Sequence, residues 1–172
     1  SGFADYKKSS IPGAGFIDVQ NDLSDGESIY SLTVPDFQEL GESFKQLGIG
    51  DPYHVVLYAR NGMQWATRVW YLLHAIGYEN VSILNGGFNE WSRLNFPIER
   101  GGTTFSPAEF NLAIKEGKFV DKNSVFTAIN DNNTVIINSL TEDIYLGQSL
   151  RYGRPGRIPK SINIPFHALV DE

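Results

Sequence analysis

The turn most suited to chemistry is VVLYARNGMQWATR at residues 55–68. An apolar run stops at Tyr58, a short polar loop with one glycine follows, and a helix-like pattern begins at Trp65. A loop that leads into a helix gathers backbone N–H groups and the positive end of the helix dipole, which suits a nucleophile or a bound anion. The first loop residue is Ala59, whose methyl group can do no chemistry. The sequence therefore predicts a reactive turn whose reactive position is empty.

A second group of candidate residues lies in RYGRPGRIPK at 151–160. Arg151, Arg154 and Arg157, together with Lys160, could hold an anion through charge-assisted hydrogen bonds. Ligand sites favour domain interfaces, and we retain the three arginines as candidate substrate-binding residues on that ground. A solvated loop without a ligand remains the alternative interpretation.

Composition excludes several kinds of site. The 172 residues contain no cysteine, which rules out disulfides, thiolate metal sites and cysteine nucleophiles within this segment. His54, His74 and His167 lie far apart without metal-ligand spacing, so we expect no metal and no cofactor. The net charge of −6 argues against nucleic acid as a partner.

The sequence also gives little sign of a membrane or of targeting. It has no apolar stretch long enough to span a membrane, and no visible signal peptide. We expect a cytoplasmic protein on this basis. The start, SGFADYKK, looks like the interior of a domain, so the N-terminus is expected to be truncated.

The elements that position the turn alternate between strand and helix patterns. The predicted strands lie within IPGAGFIDV (11–19), HVVLYA (54–59) and VSILNGG (81–87). The predicted helices lie within residues 35–49, 65–78 and 88–98. The central run of 54–59 is typical of a buried parallel strand. Strict alternation predicts an α/β domain with a parallel sheet and right-handed connections.

The chain changes character after residue 98. Residues 99–119 have glycines, a proline and little periodicity, and we interpret them as a linker between two units. A helix with Ser124 as a possible N-cap, an apolar strand and a helical turn closed by Gly147 are predicted at 122–131, 134–140 and 141–149. The predicted division is a first domain at 1–100, a linker at 101–121 and a partial second domain at 122–172.

An internal repeat connects the two parts. Both IPGAGFIDV at 11–19 and IPKSINIPF at 158–166 begin with Ile-Pro and lead into a predicted strand. In the second copy, the strand at 134–140 comes before the match, and the equivalent strand of the first copy would lie before Ser1. The reactive turn of the second copy would lie after residue 172. The sequence predicts one nearly complete copy and the start of another.

These motifs, taken in order, resemble the rhodanese sulfurtransferases. The resemblance rests on IPGA before a strand, A-x-R-x-W at 66–70, L-x-G-G at 84–87 and Trp91, and it spans nearly the whole chain. RYGRPGRIPKSINIPF resembles the segment that opens the second half of tandem members. The resemblance implies a rhodanese-like three-layer α/β fold with a central parallel sheet.

The resemblance also implies a mechanism. In this family a cysteine begins the strand-to-helix loop, takes the outer sulfur of thiosulfate or a related donor as a persulfide, and passes it to a thiol or cyanide. The second domain of tandem members usually carries the cysteine, and the first is a silent partner that contacts it. Ala59 occupies the cysteine position of the first domain, so this segment alone is expected to be inactive.

Some positions depart from the family pattern. Asn138 stands where a strand-end aspartate is common, and Leu140 and Ile144 stand where arginines often follow. The donor therefore stays open between thiosulfate, mercaptopyruvate and others. A noncatalytic rhodanese-like interaction or regulatory module is the alternative function, and a phosphatase related by fold is a weaker one. A cysteine in the second copy would favour sulfur transfer.

Several residues near the turn are expected to be structural. Arg68 is predicted to form an ion pair, and Asp18 to cap a turn. Gly86 and Gly87 are predicted to allow a tight strand-to-helix turn.

Overall fold

The computed structural model describes residues 2–170 and divides the chain into two compact units, Ser1–Glu116 (unit 1) and Gly117–Glu172 (unit 2). Unit 1 contains α1 (Gly2–Lys8), α2 (Val19–Asp22), α3 (Phe37–Gln46), β1 (Val55–Leu57), α4 (Gln64–Ala75), β2 (Val81–Ile83) and α5 (Gly87–Arg93). Unit 2 contains α6 (Lys122–Ala128), β3 (Ile137–Asn138), α7 (Glu142–Tyr145), β4 (Ile162–Asn163) and a 3₁₀ turn at Phe166–Leu169.

The sheet of unit 1 is parallel, as the alternation of strand and helix predicts. β1 pairs with β2 in the register Val55↔Val81, Val56↔Ser82 and Leu57↔Ile83. α4 connects the two strands, which is the βαβ arrangement that parallel pairing requires. The predicted α/β fold class is confirmed.

The core of unit 1 is formed by the apolar faces of α3 and α4. Leu40 and Phe44 of α3 and Leu72 and Leu73 of α4 are fully buried. Leu40 and Phe44 are four residues apart, and Leu72 and Leu73 are adjacent, so each pair lies on one side of its helix. Asp36 caps α3 by accepting a hydrogen bond from the Gln38 N–H. The periodicity of these segments therefore determines which helix faces pack together.

Residues 103–116, which fall within the segment predicted to be a linker, pack against the helices of unit 1 and belong to it. The Ala108 N–H donates to the Lys45 carbonyl at 2.9 Å, and the Ala113 N–H donates to the Ile76 carbonyl at 2.9 Å. Phe110 is buried against the ring of Tyr78, with ring centroids 5.1 Å apart. The segment lacks periodicity because its backbone bonds to helix ends and only single side chains enter the core.

The strand predicted at 11–19 does not form. Ser10 makes an isolated antiparallel bridge with Glu99, residues 14–18 have no ladder partner, and α2 begins at Val19. Asp18 caps α2 by accepting from the Gln20 and Asn21 N–H groups, so its predicted capping role is confirmed. The segment is extended, but no described residue pairs with it to make a ladder.

An open cleft of about 1540 Å³ lies between residues 13–20 and residues 53–61 of unit 1. The Val55 N–H donates to the Asn80 carbonyl and the Leu57 carbonyl accepts from the Leu84 N–H, so both residues bond toward β2. Because backbone groups alternate in direction along a strand, the N–H and carbonyl of Val56 point to the edge of β1 away from β2. The Val56 side chain is 57% exposed. The prediction of a strand buried on both faces is therefore wrong for β1, because its second face is not covered by the described residues.

The end of α5 and the cap of α6 differ from the sequence prediction. α5 ends at Arg93 rather than near residue 98, since Asn95 adopts a φ of 56° and turns the chain. The Asp121 carboxylate caps α6 and accepts from both the N–H and the hydroxyl of Ser124, so Ser124 is a partner of the cap and not the cap itself.

Unit 2 is organised around a short parallel pair. β3 pairs with β4 through Ile137↔Ile162 and Asn138↔Asn163. The Asn163 side-chain amide donates to the carbonyls of Asn138 and Leu140, at 2.8 and 2.9 Å. Ser161 is buried in this unit, whereas Ile137 and Ile162 are 51% and 47% exposed. Hydrogen bonds, more than apolar burial, therefore define this unit.

Among the helices that the structure describes, none is long and apolar enough to cross a membrane.

Replacing Leu72 with alanine should lower the free energy of unfolding of unit 1 by about 2–5 kcal/mol, because it leaves a cavity in the packed core. Urea denaturation followed by circular dichroism measures this loss. Leu94→Ala is the matched control, since Leu94 is 46% exposed and its truncation should change the free energy by no more than about 0.5 kcal/mol. Equal losses in the two variants would contradict the assignment of the core.

Candidate functional site

The candidate site is the loop from Ala59 to Met63, between β1 and α4. Met63 is the N-cap of α4 but makes no side-chain capping bond. The first intrahelical bond runs from the Thr67 N–H to the Met63 carbonyl at 2.9 Å. The amides of the first turn, Gln64 to Ala66, therefore have no acceptor inside the helix. The loop presents N–H donors and the positive end of the α4 dipole, as the sequence predicts.

The start of α5 fixes the loop from the other side. The Phe88 N–H donates to the Ala59 carbonyl at 3.0 Å. Gly86 and Gly87 adopt φ values of 75° and 56°, which confirms the tight turn predicted for them. A Cβ atom on Gly87 would lie 2.4 Å from the Ala59 carbonyl oxygen, so only glycine allows this approach. The second strand-to-helix turn thus supports the first.

Arg60, the residue after Ala59, has a structural role. Its guanidinium group stacks on the Phe88 ring at 3.8 Å from the ring centroid. Its Nη2 atom donates to the carbonyls of Asp5 and Ser9 at the end of α1. The Arg60 side chain therefore ties the loop to α1 and α5.

Tyr58 links the loop to the Ile-Pro segment. The Tyr58 hydroxyl accepts a hydrogen bond from the Ile11 N–H at 3.2 Å, and its ring stacks on Phe88 with centroids 6.2 Å apart. Burial raises the pKa of Tyr58, which keeps the phenol protonated. The IPGA motif is thereby held against the end of β1.

Arg68 makes a different contact from the predicted one. It forms no ion pair among the described residues, and its Nη2 atom donates to the Leu32 carbonyl at 2.5 Å. Burial lowers the pKa of Arg68, since no carboxylate offsets the loss of water. Arg68 thus anchors the 23–33 loop to α4. The ion-pair prediction is wrong because the partner is a carbonyl that a sequence pattern does not reveal.

The candidate arginines of unit 2 lie in an exposed loop. Arg157 donates to the Tyr145 carbonyl at 3.3 Å and lies over the Tyr145 ring at 4.4 Å. Arg151 lies 5.6 Å from the centroid of the Tyr152 ring. Arg154 is exposed. Arg157 is therefore oriented by its neighbours, and all three side chains remain accessible to an anion.

The chemical capacity of the Ala59 loop follows from these contacts. It offers amide donors to a negative charge, but neither Ala59 nor the engaged Arg60 can act as a nucleophile. No group of three or more histidine, aspartate or glutamate side chains is placed to hold a metal within residues 2–170. The arrangement suits the stabilisation of an anion and lacks the group that would react.

Comparison with known proteins places this loop in a family. The family model of the rhodanese-like domain matches residues 2–94, which include β1, the Ala59 loop and the turn at Gly86 and Gly87. The chain belongs to the rhodanese family.

Relatives of this rhodanese chain include 3-mercaptopyruvate and thiosulfate sulfurtransferases. It is 31% identical over 167 residues to the human 3-mercaptopyruvate sulfurtransferase, covering 94% of the chain and 56% of the relative. It is 31% identical to the Escherichia coli K12 enzyme of the same name, covering 98% and 60%. The rat thiosulfate sulfurtransferase is 28% identical, with 98% and 58% covered. The chain thus spans less than two thirds of these relatives.

Solved structures give the same fold. SseA from Escherichia coli superposes with a TM-score of 0.87 and 30% identity, covering 98% of this rhodanese chain and 63% of that chain. Tum1 from Saccharomyces cerevisiae superposes with a TM-score of 0.81 and 21% identity, covering 99% and 60%. The α/β rhodanese fold holds across almost the whole chain.

Sequence reasoning found the loop and its glycines but missed Arg60 and Tyr58 as its supports. Their partners lie 47 to 55 residues away in the chain, at Ile11, Ser9 and Asp5. The only local signal is that Arg60 follows Ala59 directly, where an arginine could serve a ligand or the fold.

Gly87→Ala should destabilise unit 1 through two effects. A left-handed alanine costs about 1–2 kcal/mol, and the overlap of its Cβ with the Ala59 carbonyl adds about 1–3 kcal/mol. Gly13→Ala is the matched control, because Gly13 has a φ of 75° but open space around its Cβ position. Thermal unfolding of both variants separates the effects. Equal shifts would show that the approach to Ala59 carries no extra energy.

Proposed function

We propose that this chain is the silent first copy of a tandem sulfurtransferase, together with the start of its second copy. The observation that carries the proposal is a complete rhodanese loop with Ala59 in the reactive position and no cysteine in the chain. The names of the relatives support sulfur transfer as the activity of the whole protein. The reactive cysteine would then lie in the second copy, after residue 172.

The reaction proceeds in two half-reactions. The cysteine thiolate attacks the outer sulfur of thiosulfate or a related donor, a new S–S bond forms, and the donor's own bond to that sulfur breaks with release of the remaining anion. A thiol or cyanide then takes the outer sulfur from the persulfide and returns the thiolate. Loop amides and the dipole of the following helix favour the thiolate. The Ala59 loop of unit 1 offers the same kind of amide donors and helix dipole but has no thiol.

The pairing in unit 2 supports a duplication. Ile158-Pro159 leads into β4, which pairs with β3, and Ile11-Pro12 leads into the extended segment beside the unit 1 cleft. By the repeat, a strand equivalent to β3 would fit the cleft between that segment and the open edge of β1. We therefore divide the protein into a first rhodanese-like copy that ends near residue 100, a connecting segment, and a second copy that begins near residue 122.

Within the proposal, the loop of Arg151, Arg154 and Arg157 contacts the anionic sulfur donor. In a polypeptide that joins this chain to its cysteine-bearing copy, Arg154→Gln should raise the KM for thiosulfate or 3-mercaptopyruvate about tenfold or more. The reason is the loss of one charge-assisted hydrogen bond, about 1.5–3 kcal/mol. Thiocyanate formation with cyanide as acceptor measures the rate.

Lys122→Gln is the control for net charge, since Lys122 is an exposed residue of α6. Equal changes in KM for both variants would contradict a donor site in the arginine loop. A folded polypeptide that transfers no sulfur from either donor would instead favour a noncatalytic interaction or regulatory module.

A cysteine introduced at position 59 tests whether the Ala59 loop activates a thiol. Treatment with thiosulfate should leave the chain unchanged in mass, whereas Ala59→Cys should gain one sulfur atom, because the loop amides and the α4 dipole favour a thiolate. Intact-mass spectrometry detects the addition. Ser92→Cys, at an exposed position on α5, is the control and should react more slowly. Equal rates at the two positions would show that the loop does not activate a thiol.

A further inference from the structure

Three polar side chains outside the loop form a linked group on the exposed face of β1 and β2. His54 precedes β1, Asn80 precedes β2, and Ser82 lies within β2 opposite Val56. The His54 Nδ1 atom lies 2.7 Å from the Asn80 Oδ1 atom. The His54 Nε2 atom lies 3.0 Å from the Ser82 hydroxyl oxygen. The imidazole therefore joins an amide oxygen on one side to a hydroxyl on the other.

The contacts of Asn80 determine how the imidazole carries its proton. The Asn80 Nδ2 atom donates to the Tyr53 carbonyl at 2.9 Å, so its amide is oriented with the oxygen toward His54. An amide oxygen can only accept, which requires neutral His54 to carry its proton on Nδ1. The Nε2 atom is then the acceptor for the hydroxyl proton of Ser82. This is the tautomer that a general base for serine needs.

We propose that Ser82 is a nucleophile that takes an acyl group from a thioester, with His54 as its general base and Asn80 as a positioning residue. The Ser82 oxygen forms a bond to the acyl carbon, and its proton passes to the Nε2 atom of His54. The carbon–sulfur bond then breaks, and the leaving thiolate takes the proton from His54. The products are an acyl ester of Ser82 and a free thiol.

The surroundings of His54, Asn80 and Ser82 favour a lasting acylation of Ser82 over repeated catalytic turnover. All three residues are exposed, and His54 also borders the unit 1 cleft, so a thioester can reach them. Ser82 lies within the β1–β2 ladder, where backbone amides lie in the plane of the sheet and do not form a pocket of converging donors. Both acylation and hydrolysis lack this stabilisation, but the thioester is the more reactive carbonyl, so the oxygen ester that forms on Ser82 is hydrolysed more slowly than it is made. Ser82 is therefore an acceptor that keeps its acyl group, and the activity is independent of sulfur transfer.

Incubation of the chain with a small acetyl thioester tests the proposal. Peptide mass spectrometry should find the acetyl group on Ser82 and not on Ser92, an exposed serine whose hydroxyl bonds to no histidine in the described part of the chain. His54→Gln should slow acetylation of Ser82 by about 10²–10⁴-fold, the usual range for a general base. Ser82→Ala should remove the label from that peptide. Circular dichroism of each variant verifies that it is folded.

Asn80→Ala separates positioning from simple packing. In the parent chain, ¹⁵N NMR should show the imidazole proton of His54 on Nδ1, and in Asn80→Ala this preference should weaken as acetylation slows. Equal acetylation of Ser82 and Ser92, or an unchanged rate in His54→Gln, would overturn the proposal. A His54 proton on Nε2 in the folded parent chain would overturn it as well.

Discussion

The hydrogen bond between the Phe88 N–H and the Ala59 carbonyl connects the parts of unit 1 that matter most for the site. It brings the start of α5 against the end of β1, and it requires a glycine at position 87 because any Cβ there would meet the same carbonyl oxygen. Arg60 then spans the junction, with its guanidinium on Phe88 and its donors on the end of α1. Two successive strand-to-helix turns are thereby fixed as one piece.

This construction explains how the loop keeps its shape without a reactive residue. The geometry depends on backbone bonds, glycines and the Arg60 and Tyr58 contacts, and none of these involves a side chain at position 59. The loop between β1 and α4 therefore keeps its geometry with an alanine at position 59. The match of the rhodanese-like family model over residues 2–94 includes this loop.

The sequence predicts the parts of the fold that are set by local periodicity and turn chemistry. α3, α4, β1 and β2 follow from apolar spacing, and the turn at Gly86 and Gly87 follows from the need for positive φ. Strand pairing is different, because residues 14–18 are extended but make no ladder without a neighbour. A strand therefore depends on residues that its own segment does not contain.

The supports of the site are hidden from sequence reasoning for a related reason. Tyr58 and Arg60 contact Ile11, Ser9 and Asp5, and Arg68 contacts the Leu32 carbonyl. These partners are main-chain N–H and carbonyl groups, which every residue carries, so the sequence does not single them out. The contacts of residues 103–116 are hidden for the same reason, since that segment is held chiefly through its backbone. Main-chain recognition across long separations has no compositional signature.

The unpaired edge of β1 has a consequence for the protein in solution. Its main-chain donors and acceptors lie beside the exposed Val56 side chain, without the lysine, proline or bulge that usually guards such an edge. Strand edges of this type recruit extended segments from other molecules, with little regard for the identity of the side chains. This chain is thus expected to self-associate at high concentration whenever no other strand occupies that edge.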